Sequence, residues 1–207
     1  NVFTKKKLNF DLLYDDDYGF GINKEQDFLF FKNELTKYSP NADFDFLKKG
    51  YDFAFEKYKN KSRASGAPYY THPLTVALLL IIFFKIYDER ILVAAFLHDV
   101  IEDTQQDEFP VSKQDIINYF DDEDLAHIVD AVTKISHDNI NDEFIIYEKK
   151  FGSSASEDVK EFLNRKKIQK ALTYRKLFLT LIQDVRVIIL KLADRLHNVL
   201  TLHYFTN

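Results

Sequence analysis

The chain has 207 residues, of which 46% are hydrophobic and 15% aromatic, and its formal net charge at pH 7 is -5. This length suits one domain with a sizeable core, and the negative charge excludes a general basic field for binding duplex nucleic acid. The absence of cysteine excludes disulfide bonds, thiolate zinc sites and cysteine nucleophiles. The longest apolar run, residues 76–84, is too short to span a bilayer and no secretory signal is visible. We therefore expect a cytoplasmic protein with neither nucleic acid nor membrane as a partner.

Helical periodicity begins after residues 1–24, which mix aromatic residues, an acidic run and two glycines. We interpret this stretch as an irregular N-terminal extension and place the main domain at residues 25–207. Apolar residues then recur at three- and four-residue spacing in residues 24–38 and 41–59, which predicts two helices. Asn41 is available as the cap of the second helix.

A loop rich in turn residues, 60–73, precedes the most apolar part of the chain. Pro73 fits the first turn of a helix over residues 73–87, which places His72 at the helix threshold in an extended conformation. A further helix is predicted over residues 88–101.

The second half of the chain predicts more helices and no convincing strand. Residues 109–135 read as two helices, the first capped by Ser112. A polar stretch follows over residues 136–167, and strong helical patterning returns at 174–202. With only 5 Gly and 4 Pro in the chain, the predicted fold class is all-α, a compact bundle of several helices.

One apolar helix ends in the sequence AFLHDVIEDT, residues 95–104, which contains four titratable side chains. On a continuous helix, these four side chains fall within one arc of about 140°. They are His98, Asp99, Glu102 and Asp103. Three carboxylates so close together repel one another unless a cation is bound, and neutral imidazole with ionised carboxylate is a donor set for divalent metals. The spacing therefore indicates a candidate metal site.

Further ligands must come from elsewhere, because one helix cannot surround a metal ion. His72 at its helix threshold and Asp194, which interrupts an apolar helix, are the candidates. Ordinary roles explain each residue alone: His72 as a helix cap, and Asp194 as the partner of Arg186 or Arg195. The dipeptide at residues 137–138 is a second His-Asp pair in a polar setting, where solvation explains it fully, and it serves as an internal comparison.

Four separated stretches resemble, in order and style, the HD-superfamily hydrolase domain of Rel/SpoT-type alarmone enzymes. They are RASGAPYYTHP, AAFLHDVIEDT, VDAVTK and DVRVIILKLADRLHNVLTL, and they lie within residues 28–202. The resemblance implies an all-α domain with a single Mn²⁺ that cleaves the 3′-pyrophosphate from guanosine tetra- and pentaphosphate. It also implies that a synthetase domain can be attached.

The resemblance assigns roles to individual residues of this chain. The implied metal ligands are His72, His98, Asp99 and Asp194. The implied catalytic acidic pair, which would orient a water molecule or shuttle its proton, is Glu102 and Asp103. Arg63 matches a residue that stacks on guanine, and the other implied substrate contacts are Ser65, Asn198 and Thr201. We interpret His197 as a supporting or structural residue.

The chain departs from the family pattern at two positions near these residues. Ala64 stands where a basic residue is common, and Leu200 stands where an arginine is common. Neither change touches the implied ligands or the acidic pair, so the open question is substrate preference. Two alternatives remain: a hydrolase of the same type acting on another phosphorylated nucleotide, and a non-catalytic module that senses alarmone.

Overall fold

The computed structural model describes residues 21, 23–63, 65–137 and 184–201. These residues form eight α-helices and no β-strand, apart from an isolated bridge between Ser62 and Pro68. The helices are α1 (Lys24–Thr36), α2 (Phe44–Tyr58), α3 (Thr71–Ile82), α4 (Glu89–Leu97), α5 (Val100–Asp103), α6 (Lys113–Phe120), α7 (Glu123–His137) and α8 (Val185–Leu200). The all-α prediction is confirmed.

Several predictions concern residues outside those ranges. Nearly all of the extension predicted at residues 1–24, most of the polar stretch at 136–167 and the first part of the helix predicted at 174–202 lie outside the described residues. Ala64 lies outside them too, as does Asp138, the second residue of the comparison dipeptide.

Helices α3 and α4 lie at the centre of the core because most of their side chains are apolar and buried. They pack on each other, α2 packs on α4, and α8 packs on α3. Aromatic rings extend the core between α1, α2 and α4: Phe96 lies edge-on to Phe31 at 5.1 Å and to Tyr51 at 5.6 Å between ring centroids. Among the described helices, none combines the length and the apolar character that a membrane crossing requires.

Side-chain caps fix the beginnings of α2 and α6. The Ser112 side chain accepts from the Asp115 amide, and the Asp115 side chain accepts from the Ser112 amide, which confirms the predicted cap of α6. Helix α2 begins later than predicted, with Asp43 as its cap rather than Asn41. The Asp43 carboxylate accepts from the Phe46 amide at 2.9 Å, and an acidic side chain at this end also favours the helix dipole.

Helix α3 differs from the prediction at both ends. It begins at Thr71, so His72 lies in its first helical turn rather than in extended chain. The His72 amide donates to the Tyr69 carbonyl at 3.0 Å, which continues the turn that precedes the helix. The helix ends at Ile82 instead of residue 87, and Lys85 adopts a positive φ of 55°, a conformation incompatible with continuing the helix.

The N-terminus of α8 is tied to α7 by charge. Arg186 donates through both terminal nitrogens to the two carboxylate oxygens of Asp124, each at 2.6 Å, and it also contacts Asp184. A bidentate arginine–carboxylate pair fixes orientation as well as distance. This anchor holds the helix that carries Asp194.

Helices α2 and α4 approach closely at Gly50. A Cβ atom built on Gly50 would lie 2.6 Å from Cγ1 of Val93, which is a branched side chain with little freedom to move. Overpacking of this kind costs about 1–3 kcal/mol, whereas replacing a helical glycine by alanine gains about 1 kcal/mol. We expect Gly50→Ala to lower the free energy of unfolding by up to about 2 kcal/mol, measured by urea denaturation.

The matched control for this substitution is the Val93→Ala background, which removes both Cγ atoms and leaves only the Cβ of residue 93, at 3.3 Å from the added methyl group. There, Gly50→Ala should lower the free energy of unfolding by less than it does in the unsubstituted chain, because the two closest contacts are gone while the gain in helix propensity remains. An equal loss in both backgrounds would show that the two helices do not meet as closely as described.

Candidate metal centre

Four side chains from three separated parts of the chain meet at one place. His72 comes from the first turn of α3, His98 and Asp99 from the junction of α4 and α5, and Asp194 from the middle of α8. One imidazole nitrogen or carboxylate oxygen of each lies within 4.8 Å of the corresponding atoms of the others, a grouping that could hold a metal ion. His72, His98 and Asp194 are buried, and Asp99 is partly buried.

Each histidine faces both aspartates with the same ring nitrogen. The Nε2 atom of His98 lies 3.0 Å from Oδ2 of Asp99 and 3.6 Å from Oδ1 of Asp194. The Nε2 atom of His72 lies 3.6 Å and 3.4 Å from the same two oxygens, respectively. The four donor atoms therefore surround one shared point.

A break in the helix brings His98 and Asp99 to that point. On a continuous helix adjacent side chains point about 100° apart, so the predicted helix over residues 88–101 would direct these two apart. Instead α4 ends at Leu97, and Asp99 has a φ of -103° and a ψ of -1° before α5 begins at Val100. The prediction of one continuous helix over residues 88–101 is therefore wrong.

The protonation pattern of His98 fits a metal ligand. Its Nδ1 lies 2.8 Å from the carbonyl oxygen of Ala95, which can only accept, so a neutral His98 carries its proton on Nδ1 and a lone pair on Nε2. That Nε2 is buried and has no partner with hydrogen-bond geometry among the described residues, although a carboxylate lies 3.0 Å away. Two imidazole nitrogens with two carboxylate oxygens are a donor set that first-row divalent metals accept. The residues present fit a divalent ion.

When no cation is bound, a protonated His98 offsets part of the negative charge of the two aspartates. Burial favours the neutral form of His98, but the negative charges of Asp99 and Asp194 raise its pKa to about 10. Burial likewise opposes ionisation of the aspartates, and the imidazoles nevertheless lower the pKa of both carboxyl groups well below the usual range. A proton therefore competes with a metal ion for this site.

Two neighbours in α8 hold the Asp194 carboxylate. Asn198 donates from Nδ2 to Oδ1 at 2.8 Å, and Oδ2 pairs with Lys191 Nζ at 2.6 Å. The oxygen held by Asn198 is the one that faces both histidines. Arg186, considered as a partner from sequence, pairs instead with Asp124 and Asp184.

Glu102 and Asp103 follow the junction in the short helix α5, and both are partly buried. Burial and the charge of Asp99 raise the pKa of Asp103 to about 6, which the nearby hydroxyl of Tyr69 partly offsets. The Oδ2 atom of Asp103 is buried and has no partner among the described residues. The Asp103 backbone carbonyl accepts from Lys61.

Tyr69 and Lys61 are neighbours of the acidic pair that the sequence did not reveal as such. Tyr69 is followed by an identical side chain, Tyr70, whose hydroxyl donates to Asp27 at 2.8 Å, away from the acidic pair. Lys61 is one of several alternating lysines and pairs with Asp107 at 2.9 Å. No sequence pattern separates these two residues from their neighbours of the same type.

Two of the predicted substrate contacts, Arg63 and Thr201, meet each other. Arg63 donates from Nη2 to the hydroxyl of Thr201 at 3.4 Å, which brings the loop after α2 to the end of α8. Ser65 accepts from the Ala67 amide at 3.4 Å within the same loop. Leu200 is 6% exposed and packs in the core, so its side chain is directed away from solvent.

A third buried histidine contacts the cluster from α8. Nδ1 of His197 lies 2.6 Å from Nδ1 of His72, on the side of the ring away from the aspartates. Burial, together with the nearby His72 and Arg63, lowers the pKa of His197 to about 2, so its ring is neutral.

Comparison with known proteins assigns the chain to a family. Residues 50–206 match the family described as HD domain. A GTP pyrophosphokinase of Myxococcus xanthus is 37% identical over 172 residues, which are 83% of this chain and 19% of that protein. The bifunctional (p)ppGpp synthase/hydrolase SpoT of Escherichia coli K12 is 34% identical over 171 residues, 82% of this chain and 20% of that protein.

A second Escherichia coli relative, from strain O157:H7, is named guanosine-3′,5′-bis(diphosphate) 3′-pyrophosphohydrolase and has the same identity and coverage. The chain spans about a fifth of the length of these relatives. Their names describe enzymes of guanosine tetra- and pentaphosphate metabolism. The chain belongs to the HD domain family and is an HD domain of the Rel/SpoT type.

Proposed function

We propose that this domain is a metal-dependent pyrophosphohydrolase of guanosine tetra- and pentaphosphate. It would remove the 3′-diphosphate and release GDP or GTP with pyrophosphate. The observation that carries the proposal is the convergence of four donor atoms from three parts of the chain, with an acidic pair one turn further on. The names of the two Escherichia coli relatives support the choice of substrate.

The proposed ligands are His72, His98, Asp99 and Asp194. Mn²⁺ is the proposed ion because a mixed set of imidazole and carboxylate donors suits it, with Fe²⁺, Co²⁺ and Zn²⁺ as competitors. A divalent ion bound there supplies Lewis acidity, which polarises a phosphoryl oxygen and lowers the pKa of a nearby water.

The proposed catalytic pair is Glu102 and Asp103. A carboxyl group with a pKa near neutral can both accept and return a proton during turnover, and burial gives Asp103 that property in the metal-free protein. Lys61 holds the backbone of Asp103, and Tyr69 lies beside its carboxylate. These contacts fix the acid in place so that it can orient a water molecule and take its proton.

The proposed substrate contacts are Arg63, Ser65, Asn198 and Thr201. Within the described residues, the Arg63 guanidinium contacts a hydroxyl and forms no ion pair with a carboxylate, so its charge and its planar face are available to a nucleotide. A pyrophosphate needs such cations, because Glu102 and Asp103 add negative charge to the centre. Lys191 reduces that charge further by pairing with Asp194.

The first prediction concerns activity. The purified chain with Mn²⁺ should release pyrophosphate from guanosine tetraphosphate, and a chelator should abolish the release, because the phosphoryl group needs the metal's charge. The measurement is chromatographic detection of GDP and pyrophosphate across a panel of phosphorylated nucleotides. Faster turnover of another nucleotide would identify that nucleotide as the substrate instead. Binding of alarmone without turnover, with metal bound, would favour a sensing module.

The second prediction concerns the ligands. Asp99→Ala and Asp194→Ala should each lose bound Mn²⁺ and activity together, measured by elemental analysis after gel filtration and by pyrophosphate release. Asp45→Ala is the matched control, because Asp45 is an exposed aspartate in α2, far along the chain from the cluster. Asp138→Ala, in the comparison dipeptide, should also change neither quantity. Metal loss in either control would show that the assay reports general damage.

The third prediction separates the acidic pair from the ligands. Glu102→Gln keeps the size of the side chain but removes its ability to take a proton. We expect the variant to bind Mn²⁺ as the unsubstituted chain does and to lose turnover by about 10²- to 10⁴-fold, the usual contribution of a general acid or base. Loss of metal along with turnover would identify Glu102 as a ligand instead.

A further inference from the structure

His72 makes two different contacts with its two ring nitrogens. Its Nε2 faces the oxygens of Asp99 and Asp194, at 3.6 Å and 3.4 Å. Its Nδ1 lies 2.6 Å from Nδ1 of His197, and the two ring centroids are 4.8 Å apart. Both histidines are buried, with 2% and 5% of their surfaces exposed.

A contact between two imidazole nitrogens needs one proton and one lone pair. If His197 donates from its Nδ1, a neutral His72 carries its own proton on Nε2, which then points at the aspartates and has no lone pair for a metal. If His72 donates from its Nδ1, the lone pair of His72 lies on Nε2. Only the second arrangement allows His72 to act as a ligand.

His98 does not have this choice. Its Nδ1 contacts the carbonyl oxygen of Ala95 at 2.8 Å, and a carbonyl oxygen can only accept a hydrogen bond. The backbone therefore fixes which ring nitrogen carries the proton in neutral His98. In neutral His72, the partner that fixes it is a second imidazole. Ligating histidines are generally oriented by the partner of their other nitrogen, and changing that partner costs about 10- to 100-fold in metal affinity.

We infer that His197 is a positioning residue for the metal centre: its Nδ1 accepts a hydrogen bond from Nδ1–H of His72 and keeps His72 Nε2 free for the ion. The inference rests on the proposed metal centre and is independent of the substrate. Helix α8 then contributes to the centre twice, at positions three residues apart. Asp194 is a proposed ligand, and His197 determines which nitrogen of the ligand His72 carries the proton. The His197 backbone is held as well, since its carbonyl accepts from the amide and the hydroxyl of Thr201, both at 3.1 Å.

The test compares two substitutions that differ in their ability to accept a hydrogen bond from His72. In His197→Asn, the side-chain Oδ1 stands near the position of the imidazole Nδ1 and can accept from His72. In His197→Leu, the side chain fills similar space and cannot accept. We expect calorimetric Mn²⁺ affinity to fall by about 10- to 100-fold in the leucine variant and to remain near that of the unsubstituted chain in the asparagine variant.

A second measurement uses the unsubstituted chain and does not depend on either variant folding. With ¹⁵N-labelled histidine and diamagnetic Zn²⁺, long-range ¹H–¹⁵N spectra should show His72 protonated on Nδ1 and unprotonated on Nε2. They should show His197 with an unprotonated Nδ1. A proton on Nδ1 of His197 in the loaded protein would overturn the inference.

The affinity data separate the failure of this inference from the failure of the metal centre. If the unsubstituted chain binds no divalent ion, the proposed centre fails and the inference fails with it. If the unsubstituted chain binds and both variants bind equally well, the centre stands and His197 has no positioning role. Equal loss in both variants would overturn the inference too, because packing of the ring rather than its acceptor would then control affinity.

Discussion

The meeting of two carboxylates and two imidazoles in one buried volume is the constraint on which the rest of the structure depends. Removing a single charge from water costs several kcal/mol unless an opposite charge compensates for it. Here each histidine faces both aspartates at 3.0–3.6 Å, so no member of the cluster is left uncompensated. The arrangement holds only if the start of α3, the junction of α4 and α5, and the middle of α8 keep fixed positions.

The packing of the helices supplies those fixed positions. Helices α3 and α4 are buried along almost their whole lengths, so neither can shift without exposing apolar surface to water. Helix α2 lies so close to α4 that only a glycine fits opposite Val93. Helix α8 packs on α3 and is oriented at its N-terminus by the Arg186–Asp124 pair. The donor atoms are therefore carried by rigid elements rather than by loops, which suits a site that needs small tolerances.

The sequence predicted the helices well and the junction at His98 badly, for one reason. Apolar periodicity reports which face of a segment is buried, and a break of two residues between α4 and α5 leaves that periodicity unchanged. The break is nevertheless what turns Asp99 toward the same point as His98. In the same way, periodicity could not show that α3 already includes His72, because the turn that precedes it depends on contacts with the Tyr69 carbonyl.

The grouping of His72 and Asp194 with the HD dipeptide was accessible from sequence only through the resemblance of separated motifs. Residues 72 and 194 are far apart in the chain, and no spacing rule connects them. The supporting contacts were less accessible still. Tyr69 and Tyr70 are identical in type, yet one lies beside Asp103 and the other donates to Asp27. Only the direction in which each side chain leaves the turn distinguishes them.

In the metal-free protein, a protonated His98 offsets part of the negative charge of the two aspartates. The folded-state pKa of His98 is about 10, above its ordinary value of 6.5, so the protonated ring stabilises the fold fully below pH 6.5. This contribution is lost as the pH rises from 6.5 toward 10. In the folded protein the imidazole becomes neutral only as the pH approaches 10, so below that pH a divalent ion must displace the proton in order to bind. A proton on His98 and a metal ion are thus alternative sources of positive charge beside Asp99 and Asp194.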